Sequence, residues 1–400
     1  MKALKVPPFP EPQFSKPVFH LSRMIIRPYL HLAMGVRGIT TIHREYLKEA
    51  LSSPYPVILA FRHTAKEDAP VLLAAVKESH LRFLYGRDVL YWAGKATQFL
   101  FPRLGFIAVQ NRSANKKGMQ YLRNELASPR YPLALAPEGQ VTYHMYQVSK
   151  LQTGIASMAM WAMESAGGVT ILPLSIGYRY ANASEDWVSS LLERWEQLSG
   201  LTVKGDTLAG QITNAMESML SEIARTYSLE DNPHHSFTQR RDMICEGLLS
   251  LAEAEAGLQD AQGSIIDRLY RVRFTGSDTL FTRDSSFEEK ENAKRYLVKN
   301  QIVDLLEYLD PAYLEGTYQT GRAAESALNL LDLVNRMQGG TIDTRSSPRG
   351  KQAYLQMGKP LHYKTESLST LGRKSQQKQI LLTVCDALQA CSEELEHLLS

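Results

Sequence analysis

The residues best placed to do chemistry lie in one short string, Phe61-Arg62-His63-Thr64-Ala65-Lys66-Glu67-Asp68. An imidazole whose one ring nitrogen donates to a carboxylate is held in a single tautomer, and its other nitrogen can take a proton from a hydroxyl. Five positions of separation do not put His63 and Asp68 on one helical face, so the pairing requires a strand-to-helix turn with Asp68 near the start of the helix. Taken alone, this spacing also suits a satisfied loop histidine.

The flanking residues supply such a turn. The apolar run Pro56-Val57-Ile58-Leu59-Ala60-Phe61 precedes His63, and a helical stretch opens near Ala69-Pro70. Short apolar strands then alternate with helical stretches through Ile171-Leu172-Pro173-Leu174, the signature of an α/β domain with a covered sheet and chemistry at its strand ends. Beyond about Ala183 the pattern becomes long helical periods, and after Gly339-Gly340 one further strand, at 351–364, and a closing helix, at 378–399, are expected.

Composition narrows the setting. With 44% apolar and 22% charged residues the chain reads as globular. The net charge of +3 hides an asymmetry: residues 1–150 hold 21 Lys and Arg against 9 Asp and Glu, a net +12, and the remainder holds 24 against 33, a net −9. A basic N-terminal half suits phosphate head groups, a phosphorylated acceptor, the phosphates of coenzyme A or nucleic acid, and charge does not choose among them. Cys245, Cys385 and Cys391 form no CxxC pair, which points to packing residues in a reducing, cytoplasmic setting without disulfides or metal. His234-His235 reads as an exposed turn, and Met158, Met160 and Met163 as core. No apolar run is long enough for a spanning helix, and the first residues lack a secretory leader. Phe19 to Val36 reads as an amphipathic helix, suited equally to a lipid interface and to packing on its own domain.

Further blocks follow His63 in order: Gly105-Phe106-Ile107-Ala108-Val109-Gln110-Asn111-Arg112, then Leu135-Ala136-Pro137-Glu138-Gly139, then Ile171-Leu172-Pro173-Leu174. Together the four strings resemble the motifs of the phospholipid and glycerol acyltransferase family, and Gly358-Lys359-Pro360-Leu361 with the closing helix resembles its last strand and helix. The resemblance implies a glycerolipid acyltransferase-like mixed sheet flanked by helices, interrupted by a large all-helical insertion. The expected layout is an arm at 1–24, the acyltransferase domain at 25–185 and 348–400, and the insertion at 186–347.

The resemblance also implies roles. His63 would be the general base, Asp68 its orienting partner, and Glu138 and Gly139 part of the acceptor and thioester pocket. Three departures touch the phosphate site: the family's asparagine before the histidine is Arg62, its Glu-Gly-Thr-Arg is Glu138-Gly139-Gln140-Val141, and its second-block arginine arrives one residue late as Arg112. Arg62 and Arg112, with Lys116 and Lys117, are the candidates for replacement charge. The implied reaction moves an acyl group from acyl-CoA or acyl carrier protein, bound as substrate rather than cofactor, to a glycerolipid-like hydroxyl. The implied setting is peripheral, on the inner face of a membrane, with membrane lipids and no nucleic acid as partners. A lipid-binding or scaffolding protein that kept the fold without the chemistry is the alternative, and a thioesterase the third reading.

Overall fold

The computed structural model describes residues 10–87, 89–109, 116–129, 131–181, 183–259, 262–281, 284–317, 319–368 and 372–400. The chain divides into two compact units, one of residues 8–181 and 348–399 and one of residues 182–347.

In the first unit the elements run α1 (Lys16–Leu32), β1 (Val36–Ile42), α2 (Arg44–Leu51), β2 (Val57–Phe61), α3 (Asp68–Ala75), β3 (Arg82–Gly86), α4 (Val89–Trp92), α5 (Gly94–Arg103), β4 (Ile107–Val109), α6 (Lys116–Ala127), β5 (Leu133–Leu135), α7 (Gly154–Ala166) and β6 (Gly168–Arg179). The second unit contributes α8 (Glu185–Ser199), α9 (Leu208–Tyr227), α10 (Phe237–Glu255), α11 (Ile265–Phe281), α12 (Phe287–Leu306) and α13 (Gln319–Met337), after which β7 (Lys351–Met357), β8 (Leu361–Lys364) and α14 (Arg373–Leu399) return to the first.

The eight strands form one mixed sheet in the order β1-β7-β6-β2-β5-β3-β4, with β8 also on β6. Val57 to Phe61 are five buried apolar residues in succession, the pattern of a central strand covered on both faces. β2 is parallel to β5 and β6, its two neighbours. The twelve-residue β6 changes its other neighbour midway: Gly168 to Ile171 pair with β8, and Leu174 to Arg179 pair antiparallel with β7.

Pro173 falls in the gap between those partners. Thr170 donates to Pro56 and Leu174 accepts from Arg62 on the β2 side, so Pro173, of opposite parity, faces the gap, where a missing N–H costs no ladder bond. Its carbonyl accepts from the Gly358 N–H at 2.9 Å. A Cβ at Gly358 would stand 2.6 Å from Cys391 Sγ and 3.0 Å from the Pro173 ring, so this close approach requires glycine. The single strand expected at 351–364 is therefore two, broken at Gly358-Lys359-Pro360.

One side of the sheet packs on α6, α7 and α14 through Ile58, Ala60, Leu135, Leu122, Met158, Met160, Met163, Ile171, Ile380, Val384 and Leu388. The amphipathic helix begins at Lys16 and stops at Leu32 rather than Val36, because Gly35 turns the chain at φ +67° and Val36 opens β1. Ahead of it, Gln13 and Ser15 donate to the Pro102 and Arg103 carbonyls, tying the preceding segment to the end of α5.

The helical unit is held by buried ion pairs as well as by apolar contacts. Arg336 of α13, fully buried, meets Asp332 at 3.1 Å and Asp304 of α12 at 2.9 Å, and Arg268 of α11 meets Glu253 of α10 at 2.7 Å. Complete capping boxes at Ser236/Gln239 and Ser286/Glu289 start α10 and α12.

Candidate active site

β2 ends at Phe61 and α3 begins at Asp68, so residues 62–67 form the turn that the pairing of His63 with Asp68 requires. His63 Nδ1 lies 3.0 Å from Asp68 Oδ2. The same oxygen accepts from the backbone N–H groups of Thr64 at 2.6 Å and Ala65 at 2.8 Å, and Oδ1 accepts from the Tyr178 hydroxyl at 2.6 Å. Four donors on one carboxylate keep it an acceptor, so Nδ1 carries the imidazole proton and Nε2 presents its lone pair. Asp68 is fully buried while the His63 side chain is 25% exposed, which anchors the imidazole from its buried side and leaves the ring partly accessible.

Arg62, expected to meet a phosphate, is corrected by its surroundings. Successive strand residues point to opposite faces, and Arg62 turns inward, fully buried. Its Nε donates to Glu138 Oε1 at 2.9 Å, Nη1 to the Met145 carbonyl and Ser392 Oγ, and Nη2 to Thr142 Oγ1 and the carbonyls of His144 and Gln147. Every donor of the guanidinium is used within the protein.

Glu138, expected in the acceptor pocket, is its counter-ion. Its side chain is buried, with Oε2 accepting from the His63 N–H at 3.2 Å and Oε1 from the Ser149 N–H at 3.2 Å. Arg62 and Glu138 therefore fasten the chain just before His63 to the loop at 138–149. The Thr142 N–H adds a bond to the His63 carbonyl at 2.8 Å. Gly139 is exposed at the bend of that loop with φ +86°, a conformation that favours glycine. Tyr143, His144 and Tyr146 are buried within the loop.

Two functional neighbours carried no local signal in the sequence. Tyr178 sits at the far end of β6, where an apolar run gave no reason to single out its hydroxyl. Lys351 opens β7, and its Nζ lies 2.8 Å from Glu67 Oε1 and 5.2 Å from the centre of the Tyr178 ring. Burial draws the Lys351 ammonium below the usual lysine range, opposed by Glu67. Burial and the charges of Asp68 and Glu67 push the Tyr178 phenol well above its ordinary range, so it stays a donor. A buried Tyr hydroxyl and a buried Lys both demand partners, but the sequence does not show that these positions are buried.

Arg112 lies outside the described residues, as does the side chain of Lys116, and Lys117 is exposed. His234 is exposed in a turn. Among the described residues no three His, Cys, Asp or Glu side chains gather in a group able to hold a metal ion, and no helix is long and apolar enough to cross a membrane.

Residues 39–177 match the family model described as Acyltransferase. No curated protein matches the chain.

Proposed function

This chain carries an acyltransferase domain of the phospholipid and glycerol acyltransferase family over residues 39–177, and from that premise we propose that it transfers a fatty acyl group from acyl-CoA or acyl carrier protein to a hydroxyl of a glycerolipid-like acceptor such as lysophosphatidate or glycerol phosphate. The observation that carries this reading is the His63–Asp68 pair at 3.0 Å, with Asp68 sealed from solvent and His63 not.

In the proposed reaction His63 Nε2 takes the proton of the acceptor hydroxyl as its oxygen attacks the thioester carbonyl. Asp68 holds the ring and stabilises the imidazolium that forms. The tetrahedral intermediate collapses by breaking the C–S bond, and the thiolate leaves with a proton returned from His63. Backbone N–H groups are the proposed oxyanion donors, and Gly139, exposed at its bend, borders the acceptor and thioester site. Arg112 is the proposed acceptor-phosphate residue, a role Arg62 does not fill. Because water competes for the thioester, the site must hold the acceptor close and exclude water.

The reading includes a peripheral place on a membrane, at its inner face. Leu21, Met24, Ile25, Tyr29 and Leu32 lie on one face of α1 and are exposed, Met24 by 75% and Leu32 by 70%, with Arg23 and Arg27 on the same helix. Exposed apolar side chains on a helix that also carries basic residues suit an interface of lipid tails and anionic head groups. It also includes the layout: one acyltransferase domain interrupted by the helical unit.

The test is thioester consumption and product formation with palmitoyl-CoA and a panel of lysophosphatidate, glycerol 3-phosphate and non-phosphorylated acylglycerols. His63→Ala should lower the rate by about 10²–10⁴-fold, the usual worth of a positioned general base. Equal rates for the native enzyme and His63→Ala would end the catalytic assignment, and liposome binding without thioester turnover would favour a lipid-binding role.

A further inference from the structure

We infer that Tyr178 is a positioning residue for acyl transfer, its hydroxyl fixing the Asp68 carboxylate that orients His63; this rests on the proposed function above. The two carboxylate oxygens of Asp68 are bonded from different parts of the chain. Oδ2 is bonded from within its own turn, by His63 Nδ1 and by the N–H groups of Thr64 and Ala65. Oδ1 is bonded by the Tyr178 hydroxyl at 2.6 Å, across 110 residues of chain. The three turn donors all act on Oδ2, and the hydroxyl from β6 fastens the other oxygen, so that rotation about the bond to Cβ would break bonds at both ends of the carboxylate.

Tyr178 is itself held firmly. Its N–H donates to Met145 Sδ at 2.8 Å, and it stands opposite Ala353 in the β6–β7 ladder. Lys351 covers its ring from β7 while bonding Glu67, the residue before Asp68. Asp68 is thus approached from three directions, by His63 on the turn, Tyr178 on β6 and Lys351 on β7, while Glu67 and Tyr180, just past β6, act on Tyr178, and Glu67 and Lys66 on Lys351. The β7 lysine is supplied only after the chain has passed through the helical unit.

Removing the hydroxyl has two separable consequences. Oδ1 loses its donor in a buried site, so the carboxylate and the imidazole it orients are less well placed. The carboxylate charge is also less compensated, which makes it a stronger partner for an imidazolium, so a higher pH is needed to free the base. A side chain that only filled space would change neither the pH profile nor its dependence on Asp68.

The experiment follows palmitoyl-CoA consumption with lysophosphatidate as acceptor in the full chain, comparing native, Tyr178→Phe, Asp68→Asn and the double variant, each checked for folding by circular dichroism. Tyr178→Phe should lower kcat by about tenfold, leave KM for palmitoyl-CoA within about twofold, and move the ascending limb of the pH–rate profile to higher pH. On the Asp68→Asn background it should cost less than about twofold, because the two act as one unit. If Tyr178→Phe does not fold, 3-fluorotyrosine placed at 178 keeps the ring and strengthens the donor, and the limb should move to lower pH. A native kcat and pH profile in Tyr178→Phe, an effect that multiplies in full on Asp68→Asn, or an unmoved limb with 3-fluorotyrosine would each overturn the inference. If His63→Ala is silent while Tyr178→Phe is fully active, only the role of Tyr178 falls; if His63→Ala is active, the proposed function falls first.

Discussion

Arg62 and His63 are adjacent in the chain, yet one guanidinium is sealed in the interior while the neighbouring imidazole is 25% exposed. The alternation of a strand end produces that contrast, and it makes the two residues answer differently to substitution. Arg62→Met removes a buried cation and leaves Glu138 charged among groups that cannot replace it, so it should cost about 3–5 kcal/mol. Urea unfolding measures this directly, and Arg62→Lys should recover little of it because one ammonium cannot reach the carbonyls of 144, 145 and 147 and Glu138 together. Joint replacement, Arg62→Met with Glu138→Leu, should restore part of the stability by removing the orphaned charge. It should not restore all, since the N–H groups of His63 and Ser149 lose their acceptor. The His63–Asp68 pairing was legible in the sequence because both residues belong to one turn bounded by an apolar run and a helix start. The true partners of Arg62 were not, since they lie at 138–147 and 392, and nothing within its own turn indicates which way its side chain faces.

At the scale of single elements, α1 and the segment before it pack on His80, two residues ahead of β3, and this junction should be the acid-sensitive point of the sheet unit. Phe14 stacks on the His80 ring at 4.2 Å between centroids, Phe19 of α1 meets it edge-on at 4.5 Å and Tyr131 at 5.0 Å, while Nε2–H donates to the Leu104 carbonyl at 2.8 Å. Burial lowers its pKa from 6.5 to about 4, with the charges of Arg82 and Arg23 acting in the same direction. Between those values the unfolded chain binds a proton that the folded chain refuses, so stability rises with pH. The contribution is fully present above 6.5 and is lost as pH falls toward 4, at most about 3 kcal/mol for this shift. Thermal or urea unfolding between pH 7 and 4 should show that loss, and His80→Gln should flatten the curve. The exposed face of α1 makes a separate prediction. Met24→Glu and Leu32→Glu should lower flotation with anionic vesicles by about tenfold or more, through lost apolar burial and added negative charge, without moving the melting temperature. The amphipathic pattern of this helix was readable because it is local. Its end at Leu32 and the break of the last strand at Gly358 were not, because a turn into β1 and the close approach of Cys391 and Pro173 decide them.

For the whole molecule, the placement of β7 decides which lengths of chain can fold. β7 lies between β1 and β6, so the sheet lacks an interior strand until residue 351 has been made. A chain ending at 181 would leave β1 and the second half of β6 without their shared partner. It would also lose α14, whose Ile380, Val384, Leu388, Cys391, Leu395 and Leu399 are buried. At about 1.5–3 kcal/mol for each large apolar side chain, that loss matches or exceeds the 5–15 kcal/mol by which a whole domain is usually stable. Such a fragment should be insoluble or unfolded by circular dichroism. Removing the helical unit is a different operation, because Arg179 and Gln352 are paired neighbours in the antiparallel β6–β7 ladder, where opposite Cα atoms stand about 5 Å apart. Replacing 183–347 with a short Gly-rich loop therefore asks only that two adjacent strands be joined as a hairpin, which short loops do readily. We expect the shortened chain to keep the Tyr178–Asp68–His63 contacts and the Lys351–Glu67 pair, and to retain palmitoyl-CoA turnover sensitive to His63→Ala. Folding without turnover would assign the helical unit a part in substrate handling, and failure to fold would show that the sheet depends on residues 183–347, against the proposed insertion.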